Sequence, residues 1–206
     1  MKLKLEKLEE AVKNHAGIFN CVQIHHEHNT KTVSFQHEYA SPASHKEIPE
    51  LGKLHDFYDT FGSLLLYSCA KSNDAAVYVG APGEWASLRT NFNGWIEDLS
   101  EEERSDYLPE WVDTCIVIGE IPRTGNYLLM ATAGVEAGRI FEFEHDGFEF
   151  IGLAKDIEEY IYKMLKPDGP ALLGIASHMR FIEANTSSQW WIRELVINDG
   201  YVVTTE

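Results

Sequence analysis

The chain has 206 residues, 44% of them hydrophobic and 24% charged, and its 33 acids against 17 lysines and arginines leave a formal net charge of -16. Such a length suits one domain with at most an appendage, able to bury roughly 70% of the surface its unfolded chain would expose, and the composition excludes disordered, collagen-like and coiled-coil classes. The acid excess disfavours nucleic acid as a direct partner, because phosphate backbones are bound by Lys and Arg replacing counterions. It suits either plain solubility or attraction of a cationic protein.

Residues 2 to about 15 predict a surface helix with Leu5, Leu8, Ala11 and Val12 on one face, ended by Gly17. The first ten residues lack the apolar core of a signal peptide, and no run is long enough to span a membrane. A cytoplasmic protein without membrane contact is therefore expected. Strand patterns follow over 18–24 and 32–39, with His28-Asn29-Thr30 as the expected hairpin turn. His25-His26-Glu27-His28 invites a zinc reading, but a strand puts His26 and His28 on one face and His25 and Glu27 on the other, so they read as solvent-exposed turn histidines and no metal is expected. Cys21, Cys69 and Cys115 are odd in number and lack metal or redox spacing, which suits reduced structural thiols.

A linker over 40–45 leads to a predicted helix in which Leu51, Leu54, Tyr58 and Phe61 recur at helical intervals, with Gly62 as a left-handed C-cap. Strands are expected over 64–69 and 75–79. A helix after Pro82-Gly83 carries Trp85, Leu88, Phe92, Ile96 and Leu99 on one stripe, with Asn93-Gly94 as a point of kinking. Ser100 and Glu103 have capping-box spacing for a short helix that stops by Pro109.

The chain is organised around the stretch from Ile116 to Leu165. Cys115-Ile116-Val117-Ile118-Gly119 and the run 126–131 read as strands, and Arg139 to Glu144 and Phe148 to Ile151 alternate about His145-Asp146-Gly147 as a β-hairpin. Alternation lets Phe141, Phe143, Phe148 and Phe150 share a buried face while Glu142, Glu144 and Glu149 face outward. Asp156 and Glu159 then cap a helix bearing Ile157, Tyr160, Ile161, Met164 and Leu165, expected to close over the apolar face of the sheet, and 167–170 stops it. Beyond it, 178–183, 189–197 and 201–205 read as strands, with Asn198-Asp199-Gly200 as the last turn.

Ile118-Gly119, Gly125-Asn126-Tyr127-Leu128, Gly138-Arg139-Ile140-Phe141, His145-Asp146-Gly147-Phe148-Glu149-Phe150 and the closing helix together resemble the SUKH superfamily. That superfamily is related to the yeast cell-wall-assembly regulator and includes many bacterial immunity proteins. The opening at Pro49 to Tyr67 is similar too, so the likeness covers roughly Pro42 to Leu165. It implies an α+β fold, a mostly antiparallel sheet with helices packed on one side. The expected organisation is an N-terminal helix and hairpin over 1–41, a SUKH-like domain over 42–166 and a C-terminal β extension over 167–206. Where the family commonly carries acids, this chain has Asn126 and Ala131, so the role of those acids does not transfer.

No phosphate-cradling glycine loop, nucleophile elbow, zinc-protease or deaminase spacing is present, and no cofactor is implied. The resemblance and the acidic charge imply a non-enzymatic immunity protein, an antitoxin that binds a basic cognate toxin such as a nuclease. The expected contacts are Glu142, Glu144, Asp146 and Glu149, with Tyr127 as an aromatic anchor. The alternatives are a regulatory scaffold like the eukaryotic relatives, or a hydrolase using the hairpin carboxylates.

Overall fold

The computed structural model describes residues 2–42, 48–69, 75–179 and 189–205, and the side chains of all of these except 2–6 and 178. In chain order its elements are α1 (Lys2–Asn14), β1 (Gly17–Gln23), β2 (His26–Ala40), α2 (Leu54–Tyr58), β3 (Ser63–Ser68), β4 (Val77–Val79), α3 (Trp85–Ile96), α4 (Glu101–Tyr107), β5 (Ile116–Ile121), β6 (Asn126–Met130), β7 (Ile140–Glu144), β8 (Glu149–Ala154), α5 (Ile157–Leu165), α6 (Gly169–His178), β9 (Trp190–Ile197) and β10 (Val202–Thr204). This is an α+β fold with mostly antiparallel strands, as expected. The chain divides into two units: Met1–Glu38, Leu65–Val77 and Tyr162–Glu206 form the first, and Tyr39–Leu64 and Tyr78–Ile161 the second.

In the first unit β1 pairs antiparallel with both β2 and β9, and β9 pairs with β10. The N-terminal hairpin and the C-terminal strands, separate extensions in the sequence reading, thus share one ladder. Its core packs Leu8 and Val12 of α1 with Phe19, Phe35, Tyr67, Ile192 and Leu195, all buried. Within it lies a pair of imidazoles stacked at 4.9 Å, with His15 Nδ1 2.6 Å from His37 Nε2. The Tyr67 backbone N–H donates to His37 Nδ1 at 3.0 Å. That nitrogen must therefore accept, so the His37 proton sits on Nε2 and donates to His15. Burial pushes His37 down to about 3, with the neighbouring His15 adding to the shift, and burial also lowers His15. Both rings are neutral near pH 7, because a dry aromatic site penalises imidazolium.

The second unit is a sheet in the order β4-β5-β6-β7-β8, antiparallel throughout. Strand pairing sets Tyr127 against Phe143 and Phe143 against Phe150, which puts these rings on one face. On that face α3 lays down Leu88, Phe92 and Ile96, the stripe read from the sequence, and Trp111 fills the space beside them. The Phe143 ring meets Phe92, Phe148 and Phe150, each at 5.2 Å between centroids, and Trp111 meets Phe141 at 4.4 Å. Edge-on and tilted geometries of this kind add about 0.5–1.5 kcal/mol per pair beyond the burial of apolar area. The phenylalanines of the hairpin therefore do pack together. Their cover is α3 rather than α5. Tyr160 of α5 is buried and feels the charge of Glu142, which points to the opposite face, so in this unit helices lie on both sides of the sheet and not on one as expected.

Several local expectations change. The first hairpin turns at Ile24-His25 and not at 28–30, with Gln23 facing His26 across the ladder. His25 supplies the positive φ of 69° that a two-residue turn needs, a role histidine takes more readily than most residues. Helix α2 covers only Leu54–Tyr58 and Gly62 is not its left-handed cap. Gly62 is required for a close approach instead: its N–H donates to the Ala40 carbonyl at 2.8 Å, and a Cβ there would come within 2.3 Å of the Ser41 carbonyl oxygen. Helix α3 runs through Asn93-Gly94, where a Cβ would meet open space, so the glycine costs propensity without interrupting the helix. Pro167 to Pro170 does not simply end α5; it starts α6, with the Asp168 carboxylate accepting from Ala171 N–H at 2.9 Å and Pro170 in the first turn. Where a strand is expected to begin at 178, His178 ends α6, and the rest of that strand (180–183), the turn at 71–74 and the end of the 40–45 linker lie outside the described residues.

Candidate functional site

Four residues, His145 to Phe148, turn β7 into β8, and Phe148 takes a left-handed φ of 56°. The turn is held from below by Asn126 at the start of β6, a side chain only 1% exposed. Its Oδ1 accepts from the His145 backbone N–H at 3.2 Å and stands 2.9 Å from His145 Nδ1, while its Nδ2 donates to Glu142 Oε1 at 2.8 Å. The carbonyl is an obligatory acceptor, so His145 Nδ1 is the donor and the ring is fixed with Nε2 facing outward. Asp146 Oδ1 lies 3.1 Å from that Nε2. Glu144 folds back on the turn, with Oε1 accepting from Asp146 N–H at 3.1 Å and Oε2 from Gly147 N–H at 2.5 Å.

The four carboxylates are consequently unlike one another. Asp146 and Glu149 are exposed, with the Asp146 side chain 86% accessible. Glu144 is half-buried and committed to backbone amides. Glu142 is the departure from an evenly solvated acidic face: burial on the α5 side raises its carboxyl above the usual range, with Glu144 adding to the rise and the Asn126 hydrogen bond opposing it. Glu142 is thus part of the turn's internal support. Tyr127 also departs from its expected role. It is 7% exposed and packs edge-on to Phe92 at 5.8 Å, so it supports the surface from inside and is no anchor.

The exposed aromatics at this turn are two residues the sequence reading passed over. Trp95 is 41% exposed and meets His145 at 4.7 Å, and Tyr107 is 57% exposed and meets Phe148 at 6.2 Å. One ring stands at each end of the turn. Trp95 falls off the apolar stripe of α3, and Tyr107 closes a helix of acids; an aromatic on the polar side of an amphipathic helix is the signal that could have found them. Between them α4 buries no residue. From Glu97 to Glu110 seven acids are exposed (Glu97, Asp98, Glu101, Glu102, Glu103, Asp106 and Glu110) against a single base. That base, Arg104, is occupied by Asp113 at 2.5 Å and by the Ile96 carbonyl at 3.0 Å. The Ser100–Glu103 capping box, read from the sequence, fixes the start of α4.

Glu144, His145 and Asp146 each offer one ligand atom, all within 4.8 Å of one another. Both Glu144 oxygens already accept backbone amides, so binding a cation here would cost the turn two of its own hydrogen bonds. The His25-His26-Glu27-His28 run is exposed throughout, as expected. The three cysteines are buried and free. In the first unit a shallow depression of about 670 Å³ is lined by Asn20, Lys31, Thr32, Arg193, Glu194 and Thr204. Its polar groups bond among themselves, Asn20 Nδ2 to Glu194 Oε1 at 2.5 Å and Thr32 Oγ1 to Asn20 Oδ1 at 3.1 Å. Among the described residues no helix is long and apolar enough to cross a membrane.

Compared with family models, with curated proteins and with solved structures, the chain matches none. The SUKH resemblance accordingly rests on the ordered residues of the sequence alone.

Proposed function

We propose that this is a binding protein of the immunity type, which meets a basic cognate toxin in the cytoplasm and blocks it through the acidic surface formed by the β7–β8 turn and α4. The observation that carries this reading is the concentration of exposed carboxylate beside two exposed aromatic rings: seven acids over 97–110 with Asp146 and Glu149 on the adjoining turn. Aromatic anchors amid like charge suit a protein contact. The rings supply buried contact area and the field steers a partner of opposite charge, raising association rates up to about 10⁸ per molar per second or above. The SUKH resemblance supplies the biological setting, and a nuclease, whose substrate demands a basic face, is the class of toxin that suits the charge best.

A hydrolase working through these carboxylates is the weaker reading. General acid–base chemistry needs two carboxyl groups aimed at one reacting atom, whereas Glu144 is spent on backbone amides and Asp146 and Glu149 project into solvent. A regulatory scaffold, as in the eukaryotic relatives of the superfamily, would use the same surface on a resident protein. Affinity capture from the native host, washed at low and at high salt, tests the proposal. Recovery of a basic enzyme that is lost as salt rises is the expected result. Recovery of only neutral or acidic proteins would refute it.

A further inference from the structure

Trp95 is held more firmly than an exposed indole needs to be. The Tyr127 hydroxyl lies within polar reach of the indole, whose ring is 4.7 Å from that of His145. The backbone at Gly125 comes so close that a Cβ there would stand 2.9 Å from Trp95 Cζ2, and Gly125 also has a φ of 87° that other residues rarely adopt. Three neighbours thus fix a ring that is still 41% exposed. Rigid aromatic side chains lose little entropy on binding and make the best anchors. Beside this ring, Asp146 holds its carboxylate out to solvent on the imidazole that touches the indole.

A flat π-system and a carboxylate that both touch one imidazole match one side chain in particular. Guanidinium is planar, stacks on an indole while keeping its N–H groups in plane for a carboxylate, and sheds water more easily than an ammonium. We infer that Trp95 and Asp146 form an arginine-recognition point, and that the partner of this surface inserts an arginine there while its other cations face α4. The inference rests on the acidic-surface reading above and narrows it. A partner that presented lysine alone would gain from the charge and not from the ring. Tyr107, at the far end of the turn, provides the second aromatic contact. Tyr127 is a positioning residue: it orients the indole without reaching the partner.

Two peptides test this on the intact protein at low salt: five repeats of Arg-Gly, and the same peptide with lysine. Affinity is read from the indole N–H resonances of the ¹⁵N-labelled chain. The arginine peptide should bind about tenfold more tightly than the lysine peptide and should shift the Trp95 resonance, which is identified by its loss in W95F. Trp95→Ala should remove the arginine preference and leave a weak, salt-sensitive attraction common to both peptides. If circular dichroism shows that W95A has lost its fold, Trp95→Leu takes its place. Tyr127→Phe, which keeps the buried ring and deletes the hydroxyl nearest the indole, should cut the preference about threefold. Tyr162→Ala, an exposed tyrosine outside this turn, should change nothing. Equal binding of the two peptides, a preference that survives W95A, or no binding of either by millimolar concentration overturns the inference. Equal but salt-sensitive binding would overturn it while leaving the acidic surface intact as a docking face. That broader reading falls only if capture from the host yields no basic protein.

Discussion

Two hairpins in this chain are built from the same kind of sequence and end differently. The β1–β2 and β7–β8 pairs are both antiparallel, both bury alternate aromatics, and both place a histidine at the turn. At the first tip the side chains of His25, His26, Glu27 and His28 are all exposed. At the second, Asn126 takes hold of His145 from the adjacent strand and Trp95 and Tyr107 pack on the two ends of the turn. The first hairpin is anchored at its base, by the half-buried His15–His37 pair, and the second at its tip. A charged turn becomes a presentable surface when neighbouring elements fix its side chains, and that support is absent from the local sequence.

The largest expected effect lies in the polar support of the second tip. Asn126→Ala removes acceptors for both nitrogens offered by His145 and strips Glu142 of a hydrogen bond inside a partly desolvated site. We expect a loss of about 3 kcal/mol in chemical denaturation, because a half-buried carboxylate and two N–H groups each lose a hydrogen bond. Asn29→Ala at the exposed first tip should cost less than about 0.5 kcal/mol. Similar losses at both positions would mean that the two tips are supported alike.

Acid should attack the base of the first hairpin next. The folded pKa of His37 is depressed to about 3 and that of His15 is also lowered. The unfolded chain takes up these protons first, near pH 6.5. Their contribution to stability is therefore full above that pH and drains away as pH falls toward the folded values, at up to about 1.4 kcal/mol per pH unit for each histidine. By pH 4.5 a loss of about 2–3 kcal/mol is expected. His37→Asn, whose amide oxygen can still accept the Tyr67 N–H, should flatten the slope of stability against pH; an unchanged slope would place the acid sensitivity elsewhere.

How much of this could be read from the sequence depends on whether the signal was local. The capping boxes, the α3 stripe and the alternation over 140–151 stood out because each needs only a few neighbouring residues to be satisfied. The turn at Ile24-His25 did not, since a histidine took the positive φ where Asn-Gly would have announced it. Helix α6 was hidden by two prolines read as a stop, although Asp168 followed by Pro170 is also a start. At the site, Asp146 and Glu149 could be placed outward from alternation and turn chemistry alone. The burial of Glu142 and Tyr127 could not, because α5 and α3 cover them from distant parts of the sequence. The same distance concealed Trp95, which gains its meaning only beside Gly125, Tyr127 and His145.

Smaller effects sharpen the contrast between buried and exposed acids. Glu142 has its pKa raised in the folded state, so its carboxyl favours folding only while protonated, fully below about pH 4.5, and the benefit is lost as pH rises through the folded value. Glu142→Gln keeps a hydrogen-bonding group for Asn126 and removes the buried charge, and should stabilise the protein by about 1 kcal/mol at pH 7.5. In urea titrations that gain should shrink toward zero near pH 4.5; a gain independent of pH would contradict the assignment. At the first tip, His25→Gly relieves a φ of 69° and should raise the melting free energy by about 0.5 kcal/mol at most.

Charge reversal at the two tips puts the central claim to its most direct test. With the basic protein captured from the host as ligand, the association rate would be measured at low salt for Asp146→Lys on the second hairpin and for Glu27→Lys on the first, two reversals of equal charge. The account predicts a fall of about tenfold or more for the first variant and less than about twofold for the second, since only the supported turn meets the partner. Equal falls would reduce the interaction to net charge, and a larger fall for Glu27→Lys would place the contact on the other hairpin and contradict the account.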